Sequence, residues 1–361
     1  MHEPIRTRGL VFQGPGQPPG IEELMLDAPG PGEVRVRMAA AGVCHSDLHV
    51  VDGEWARPAD VVLGHEGSAW VEAVGPGVTT VAEGVLVVLA WTAPCGTCPP
   101  CVRREPWLCA TPHGAGHRLD PDLARLRRQN GERVGAYSGI GTFGEHQVVA
   151  ASAAIRLDPR TPPEIAALIG CAITTGVGAV RSTAQVKTGE SVAVIGLGGV
   201  GLSAVMGAVA AGADPVIAID RVPAKLDLAA RAGAHRVIDA TDARAAAGVD
   251  HVLECIGRTD TVELAIELAR PGGTITLVGM TPQGERASFD VYRFIEDGKR
   301  LLGSNYGSAV PARDFPAIAT EYLDGGLPLD LLITERIGLI DIDGAFEAMR
   351  EGDGARRVVR Y

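Results

Sequence analysis

The chain has 361 residues, of which 46% are apolar and 21% charged, a composition typical of a folded globular protein rather than a disordered one. Its 33 Lys and Arg against 44 Asp and Glu give a formal charge of −11, which argues against a protein that coats nucleic acid or an anionic membrane surface. At roughly 150 residues per domain, the length predicts two domains. Met1 to Gly30 has no continuous apolar stretch, so we predict no signal peptide and a cytoplasmic location.

The first half of the chain predicts β-structure. Glu33–Met38 alternates apolar and polar residues, and Trp70–Val74 and Val85–Leu89 are short apolar runs separated by turns such as Gly75–Gly77. The polar stretch Arg118–Arg133 predicts a surface excursion, either a solvated helix or an oligomer contact.

The second half predicts strands that alternate with alanine-rich helices. Ser191–Ala213 is uncharged over 23 residues, but its closely set glycines argue against a membrane-spanning helix. Predicted strands follow at Val192–Ile195, Val216–Ile219, Arg236–Ile238, His251–Leu253 and Thr274–Val278, with helices at Pro223–Ala232 and Thr261–Ala269 between them. This alternation indicates an α/β fold with a doubly wound parallel sheet. The tail from Asp314 predicts a helix and then short strands.

A glycine-rich motif, Gly196-Leu197-Gly198-Gly199-Val200-Gly201, lies between the predicted strand Val192–Ile195 and a helix predicted over Leu202–Ala211. It matches G-x-G-x-x-G, in which glycines let the backbone approach a pyrophosphate at the positive end of a helix.

An acidic residue, Asp220, follows this motif at the end of the next predicted strand, where a carboxylate can accept hydrogen bonds from both hydroxyls of an adenosine ribose. It favours NAD over NADP, although the guanidinium of the adjacent Arg221 could bind the 2′-phosphate of NADP. The alternative for Asp220 is a turn-forming residue. Lys225 either reaches the ribose or is an exposed helix lysine.

Four cysteines are spaced Cys95-x2-Cys98-x2-Cys101-x7-Cys109. Four thiolates close a tetrahedral zinc site with no open position, so this spacing predicts a structural zinc. An iron–sulfur cluster also uses four cysteines, but it usually draws a ligand from further along the chain or ends in Cys-Pro, and Ala110 follows Cys109 here. A redox disulfide is the remaining alternative.

Three further segments, Gly42–Asp47, Gly64–Gly67 and Gly170–Ala172, carry Cys44, His65 and Cys171. With these segments, the four-cysteine run and the glycine motif, the chain closely resembles the zinc-dependent medium-chain alcohol dehydrogenases. The resemblance implies a Rossmann domain over residues 171–305, inserted into a β-rich, GroES-like catalytic domain formed by residues 1–170 and 306–361. It also implies that Cys44, His65 and Cys171 bind a catalytic zinc, giving two Zn²⁺ and one NAD per chain. We interpret the seventh cysteine, Cys255, as a packing residue and not as a metal ligand.

The same resemblance implies roles around the catalytic zinc. Ser46 and His49 would relay the alcohol proton, although His49 could instead be a surface residue beside the Asp52-Gly53 turn. Asp47 would hold the far ring nitrogen of His65, and Glu66 would sit behind the zinc.

Further positions are implied for the cofactor and the substrate. His45 and Arg356 are candidates for the pyrophosphate, and Thr175 and Val200 would contact the nicotinamide. Trp55 and Trp91 would narrow the substrate cleft, with core packing as the alternative for each.

The predicted activity is the interconversion of alcohols, preferably primary, and aldehydes with NAD, in a homodimer. Trp91–Cys109 and Tyr306–Leu329 resemble the thiol-dependent formaldehyde dehydrogenases, particularly the mycothiol-linked form. Oxidation of S-(hydroxymethyl)mycothiol or S-(hydroxymethyl)glutathione is therefore the alternative. A non-catalytic dinucleotide-binding protein and a zinc-free reductase of the same superfamily are further alternatives.

Overall fold

The computed structural model describes residues 2–110 and 124–361. The strands in these ranges are β1 (Ile5–Phe12), β2 (Gly20–Leu26), β3 (Glu33–Gly42), β4 (Val61–Val62), β5 (Glu66–Val74), β6 (Leu86–Leu89), β7 (Leu126–Arg127), β8 (Arg133–Ala136), β9 (His146–Ala150), β10 (Ala154–Arg156), β11 (Val192–Ile195), β12 (Val216–Asp220), β13 (Arg236–Asp239), β14 (Val249–Glu254), β15 (Ala269–Leu277), β16 (Arg300–Gly303), β17 (Ile333–Ile337) and β18 (Arg356–Arg360). The α-helices there are α1 (His45–Val51), α2 (Pro99–Val102), α3 (Pro163–Leu168), α4 (Thr174–Gly178), α5 (Gly199–Ala210), α6 (Pro223–Arg231), α7 (Thr259–Leu268), α8 (Val291–Glu296), α9 (Pro311–Leu323) and α10 (Ile342–Arg350).

Two β-systems are built from the first half of the chain and its C-terminal end. A small closed barrel has the strand order β1-β2-β7-β8-β4. A seven-stranded sheet has the order β10-β6-β5-β3-β18-β17, with β9 also paired to β3. Since Val358–Arg360 pairs antiparallel with Ala40–Gly42, the last strand of the chain completes the sheet begun by its N-terminal half.

A six-stranded parallel sheet occupies the middle of the chain, in the order β13-β12-β11-β14-β15-β16. All four residues of β11 are buried, as expected for a strand covered by helices on both faces. The chain runs outward from β11 in one direction and then continues from β14 in the other, so the sheet has a switch point between these two strands. Ligands of doubly wound sheets bind at the carboxyl ends of the strands beside such a point.

A nearly continuous helical stretch, 163–184, joins the two parts of the molecule. It consists of α3, a π-helical segment Ile169–Ile173, α4 and a second π-helical segment Ala179–Ala184. By length and composition it could cross a membrane, but 89% of its apolar window is buried inside the protein. It packs against α5 and the seven-stranded sheet, so we interpret it as a core helix.

The prediction of a solvated helix in Arg118–Arg133 is wrong for the described part of that segment, and residues 118–123 lie outside it. Leu126–Arg127 is a barrel strand that pairs with Met25–Leu26. The neighbouring arginines form ion pairs with distant carboxylates, Arg125 with Glu33 of β3, Arg127 with Asp27 just after β2, and Arg128 with Glu22 of β2. These ion pairs and the buried Leu126 fix the segment as barrel wall.

Candidate active site

A cavity of about 540 Å³ lies between the carboxyl ends of the parallel strands and helix α1. Both parts of the molecule contribute to its lining. Nearly all predicted site residues outside the four-cysteine run reach it, namely Cys44, His45, Ser46, His49, Trp55, His65, Trp91, Cys171, Thr175, Gly196, Gly198, Gly199, Val200, Asp220, Arg221, Lys225 and Arg356. Asp47, Glu66 and Gly201 lie behind this lining.

The glycine motif forms the turn between β11 and α5, as predicted. Gly196 has φ +89°, a conformation that side chains disfavour. A Cβ on Gly201 would lie 1.7 Å from the Gly196 carbonyl oxygen, so only glycine fits where the helix packs on the turn. The helix begins at Gly199 and extends for 12 residues, which leaves its first N–H groups and positive dipole end facing the cavity.

Asp220 ends β12 and uses both carboxylate oxygens. Oδ2 accepts the Leu197 N–H at 2.7 Å, and Oδ1 accepts the Val222 N–H at 3.0 Å. The carboxylate therefore forms the turn after the strand and also steadies the glycine loop. It lines the cavity beside Arg221 and Lys225, and burial lowers the pKa of Lys225. Asp220 is positioned both to shape the turn and to face a ribose.

The donor atoms of Cys44, His65 and Glu66 all lie within 4.8 Å of one another, and all three side chains are buried. Cys44 begins helix α1, while His65 and Glu66 stand at the start of β5. His65 Nδ1 lies 3.0 Å from Asp47 Oδ1, which also accepts the Gly64 N–H at 3.1 Å. Because the Asp47 carboxylate accepts the Nδ1 proton, the free electron pair of the ring lies on Nε2 and is available to a metal ion.

The fourth residue of this group, Cys171, lies in the π-helical segment and its thiol adjoins that of Cys44. The Cys171 hydrogen bond, helped by the Arg356 guanidinium, lowers the pKa of Cys44 well below its usual value despite burial. The same contact, with burial, raises the pKa of Cys171.

These residues fit a zinc ion. His65 Nε2 and Glu66 Oε2 are buried without a hydrogen-bond partner in the described structure, an arrangement that is costly unless a ligand satisfies them. Two thiols and an imidazole match the donors that zinc prefers and leave one position for a small molecule.

Arg356 lies between the metal-ligand group and the dinucleotide loop. Its Nη2 donates to Glu66 Oε1 at 3.3 Å and to Cys44 Sγ at 3.4 Å. A Cβ on Gly199 would lie 2.6 Å from the guanidinium carbon, so the arginine also packs on the first turn of α5. Burial raises the pKa of Glu66 to about 7, although the guanidinium opposes this shift.

His49 lines the cavity at the end of α1 and is held by two neighbours. Its Nδ1 makes a short hydrogen bond to Glu54 Oε2, and its ring stacks on Trp55 with centroids 4.6 Å apart. Burial lowers the pKa of its neighbour His45 to about 4.

Two aromatic walls narrow the cavity. Trp55 is 3% exposed, and its indole N–H donates to the Thr281 carbonyl at 3.1 Å. Trp91 packs on Tyr306 with ring centroids 4.2 Å apart, and the Tyr306 hydroxyl donates to the Gly170 carbonyl next to Cys171. Both tryptophans therefore line the cavity and also pack against its supporting structure.

The other four cysteines form a separate cluster, in which all four sulfurs lie within 4.8 Å of one another. The Thr97 and Cys98 N–H groups donate to Cys95 Sγ at 3.4 and 3.2 Å, and these hydrogen bonds lower the pKa of Cys95 to about 5. Amide donors around a compact set of thiols are suited to a closed, four-coordinate metal site.

Comparison with known proteins identifies the family. Residues 30–159 match the alcohol dehydrogenase GroES-like domain, and residues 199–324 match the zinc-binding dehydrogenase family. The chain is also 36% identical to S-(hydroxymethyl)glutathione dehydrogenase of Escherichia coli O157:H7, with 99% of this chain and 100% of that protein covered. The chain belongs to the zinc-dependent medium-chain alcohol dehydrogenase family. It is accordingly an NAD-dependent oxidoreductase of the zinc class.

Solved structures agree with this assignment. An alcohol dehydrogenase zinc-binding domain protein from Burkholderia ambifaria is 34% identical, with a TM-score of 0.93 and 99% of each chain covered. Benzyl alcohol dehydrogenase from Acinetobacter calcoaceticus is 29% identical, with a TM-score of 0.90 and the same coverage. The predicted α/β fold class is confirmed by these neighbours and by the three sheets.

Sequence reasoning missed two residues of the site. Glu54 is paired with His49, and a carboxylate five residues after a histidine, across the Asp52-Gly53 turn, is the signal that could have indicated it. Tyr306 touches Trp91 from the far end of the chain, and no local sequence pattern marks that contact.

Proposed function

We propose that the enzyme interconverts primary alcohols and aldehydes by hydride transfer to and from NAD. The observation that carries this proposal is a single cavity that joins Asp220 and the glycine loop to Cys44 and His65. A dinucleotide that extends from the loop would present its nicotinamide beside the metal ligands, with Thr175 and Val200 on the way.

Cys44, His65 and Cys171 are the proposed ligands of the catalytic zinc, and Cys95, Cys98, Cys101 and Cys109 those of the structural zinc. When bound, zinc supplies a Lewis acid that makes the alcohol hydroxyl more acidic, and NAD supplies the hydride acceptor. The zinc-free reductase and the non-catalytic binding protein are disfavoured because the full ligand set is present.

The protein residues then have to remove a proton from a buried site. Ser46 and His49 both line the cavity, and His49 keeps 18% of its side chain exposed at the rim. We propose that Ser46 accepts the alcohol proton and that His49 delivers it to water. A bound cofactor would supply ribose hydroxyls between these two residues. Asp47 orients His65, and Glu66, held by Arg356, sets the charge behind the ligands.

The carboxylate of Asp220 supports NAD over NADP, since a 2′-phosphate would meet its negative charge. Arg356 packs on the first turn of α5 and His45 lines the same cavity, so both could neutralise the pyrophosphate. Arg221 and Lys225 complete the adenosine end of the site.

The indoles of Trp55 and Trp91 support small or planar primary alcohols rather than branched secondary ones, because they narrow the cavity. The second candidate is oxidation of the hydroxymethyl adduct of mycothiol or glutathione. It is supported by the 36% identity to proteins named S-(hydroxymethyl)glutathione dehydrogenase.

A substrate panel separates these candidates. The assay measures kcat/KM for matched primary and secondary alcohols, and for formaldehyde with and without mycothiol or glutathione. A higher kcat/KM on primary alcohols supports the first proposal, and a higher kcat/KM on secondary ones refutes it. Formaldehyde oxidation that requires either thiol would instead establish the second candidate.

We also propose that the protein is a cytoplasmic homodimer. Each chain would divide into a catalytic domain, 1–170 with 306–361, and a dinucleotide domain, 171–305.

The dimer is supported by the outer strand β16, beside which Val291, Tyr292 and Ile295 are 60 to 73% exposed. A second copy of this strand could pair there and cover these side chains. Sedimentation of Ile295→Glu should show monomers, while Ile340→Glu, equally exposed elsewhere, should leave the dimer intact. A dimeric Ile295→Glu would refute this surface.

A further inference from the structure

The pair formed by His49 and Glu54 stands at the rim of the cavity, where the proton path meets water. His49 Nδ1 and Glu54 Oε2 are joined by a short hydrogen bond, while His49 lines the cavity and Glu54 does not. Glu54 is 40% exposed and His49 only 18%. The carboxylate therefore holds the outer nitrogen of the ring from the solvent side, and the other nitrogen is available to the cavity.

Three contacts fix this pair in position. The His49 ring stacks on Trp55 at 4.6 Å with an interplanar angle of 26°. The Trp55 indole donates to the Thr281 carbonyl, and the Glu54 carbonyl accepts the Gln283 N–H at 3.2 Å. The loop that carries Glu54 is thus anchored to the segment after β15, on the opposite side of the cavity. Such second contacts hold a catalytic side chain in its productive orientation.

We propose that Glu54 is the positioning residue of the proton relay, an inference that rests on the relay role proposed for His49. By accepting the Nδ1 proton, Glu54 holds the neutral ring in the tautomer whose Nε2 can receive a proton. One proton then enters at Nε2 to give an imidazolium, which the carboxylate stabilises. The imidazolium returns one proton to water, so the step balances without any other reactant.

Among the described residues, the other charged groups near His49 do not hydrogen-bond to its ring. His45, one turn earlier on α1, has its ring centroid 5.9 Å away, and Asp47 is turned inward onto His65. Arg57 lies over the Trp55 ring at 5.9 Å. At the end of the helix, Asp52 is bound to Arg350 of α10. Among the described residues, Glu54 is the carboxylate that contacts the ring.

The test compares Glu54→Ala, Glu54→Gln and Glu54→Asp with wild type, using kcat and KM over a range of pH. Since general acid–base catalysis contributes roughly 10²- to 10⁴-fold, loss of the orienting partner in Glu54→Ala should lower kcat about 3- to 30-fold. KM for the alcohol should stay within about twofold because Glu54 does not line the cavity. Glu54→Asp should recover part of the loss. Glu54→Gln, whose amide oxygen can still accept the Nδ1 proton, should also recover part of the loss.

The deciding readout is a double-mutant cycle with His49→Gln. If Glu54 acts through His49, Glu54→Ala should have no further effect on kcat in the His49→Gln background. Glu267→Gln, an exposed glutamate on α7 paired with Arg244, is the matched charge control and should behave as wild type. Thermal melting of each variant checks that it is folded.

The outcomes separate this inference from the proposed function. If His49→Gln lowers kcat and Glu54→Ala does not, or if their effects multiply independently, the role of Glu54 is refuted and the relay stands. If His49→Gln retains the kcat of wild type, the relay itself is refuted. An inactive wild type would refute the proposed function.

Discussion

The carboxylate of Asp220 is the residue by which this enzyme should distinguish NAD from NADP. The substitution that tests it is Asp220→Asn, which removes the charge and keeps the shape. The structure shows why Asp220→Gly is a harsher change. Asp220 also accepts the Leu197 and Val222 N–H groups, so glycine leaves both without their partner. Asparagine retains one acceptor oxygen and loses one of these bonds.

The expected magnitude follows from two contributions. Hydrogen bonds to a charged group contribute about 1.5 to 3 kcal/mol, so losing the ribose contact should raise Kd for NAD roughly 10- to 100-fold. For NADP the variant removes a repulsion, which for unit charges at about 4 Å and an effective dielectric constant of about 20 reaches about 4 kcal/mol. Damage to the glycine loop is common to both cofactors and cancels in the ratio of their Kd values. We therefore expect the NAD to NADP preference to fall at least about 100-fold.

The assay is calorimetric titration of each cofactor into wild type, Asp220→Asn and Asp220→Gly. Asp239→Asn is the matched control, because Asp239 ends the neighbouring strand β13 and its side chain accepts hydrogen bonds from the N–H and hydroxyl of Thr241, away from the glycine loop. We expect this control to keep the wild-type ratio, and Asp220→Gly to lose far more affinity for NAD than for NADP. Equal losses for both cofactors in the Asp220 variants would show that this carboxylate serves the loop alone.

The remaining predictions concern the cysteine cluster and the cofactor phosphates. Cys98→Ser should remove one zinc per chain and lower Tm by roughly 5 to 10 °C, because structural zinc contributes to folding stability. Metal analysis and thermal melting check this, with Cys255→Ser as the control that should retain both ions. An unchanged zinc content in Cys98→Ser would contradict the assignment. Burial lowers the pKa of His45 to about 4, and a bound pyrophosphate should raise it. Protonated His45 then favours the complex, so the affinity for NAD should increase as pH falls from neutral toward about 4, and this dependence should disappear in His45→Gln. A pH dependence that survives in that variant would assign it to another group.

Local sequence rules predicted the parallel sheet well, because its strands are short, continuous apolar runs. The strand β11 has the bounds Val192–Ile195 that were predicted from its apolar residues. Helix α5 begins at Gly199, three residues before the predicted start at Leu202. Glycine is unfavourable inside helices, but here Gly199 packs against Arg356 and Gly201 against the Gly196 carbonyl, so tertiary contact overrides propensity.

The arginines of the barrel show where local reasoning failed. Arg125, Arg127 and Arg128 are consistent with an exposed helix in sequence. They are held in the barrel wall by Glu33, at the start of β3, and Asp27, just after β2. Partners so far apart along the chain carry no local signal.

The site was predictable to the extent that its chemistry depends on motifs. The cysteine spacing and the segments around Cys44 and His65 indicated both donor groups, which the structure brings together. The family resemblance implied that Arg356 lies near the cofactor phosphates, but its contact with Glu66 and Cys44 depends on the C-terminal strand pairing with β3. That contact spans almost the whole chain and could come only from the fold.

The central claim, an open zinc site that performs dehydrogenation beside a closed structural one, is tested most directly by metal content and activity in wild type and Cys44→Ser. We predict two zinc ions per chain and alcohol-dependent NAD reduction in the wild type. In Cys44→Ser we predict one zinc ion and loss of that activity, with the fold retained. One zinc ion in the wild type, or undiminished alcohol oxidation in Cys44→Ser, would contradict the account.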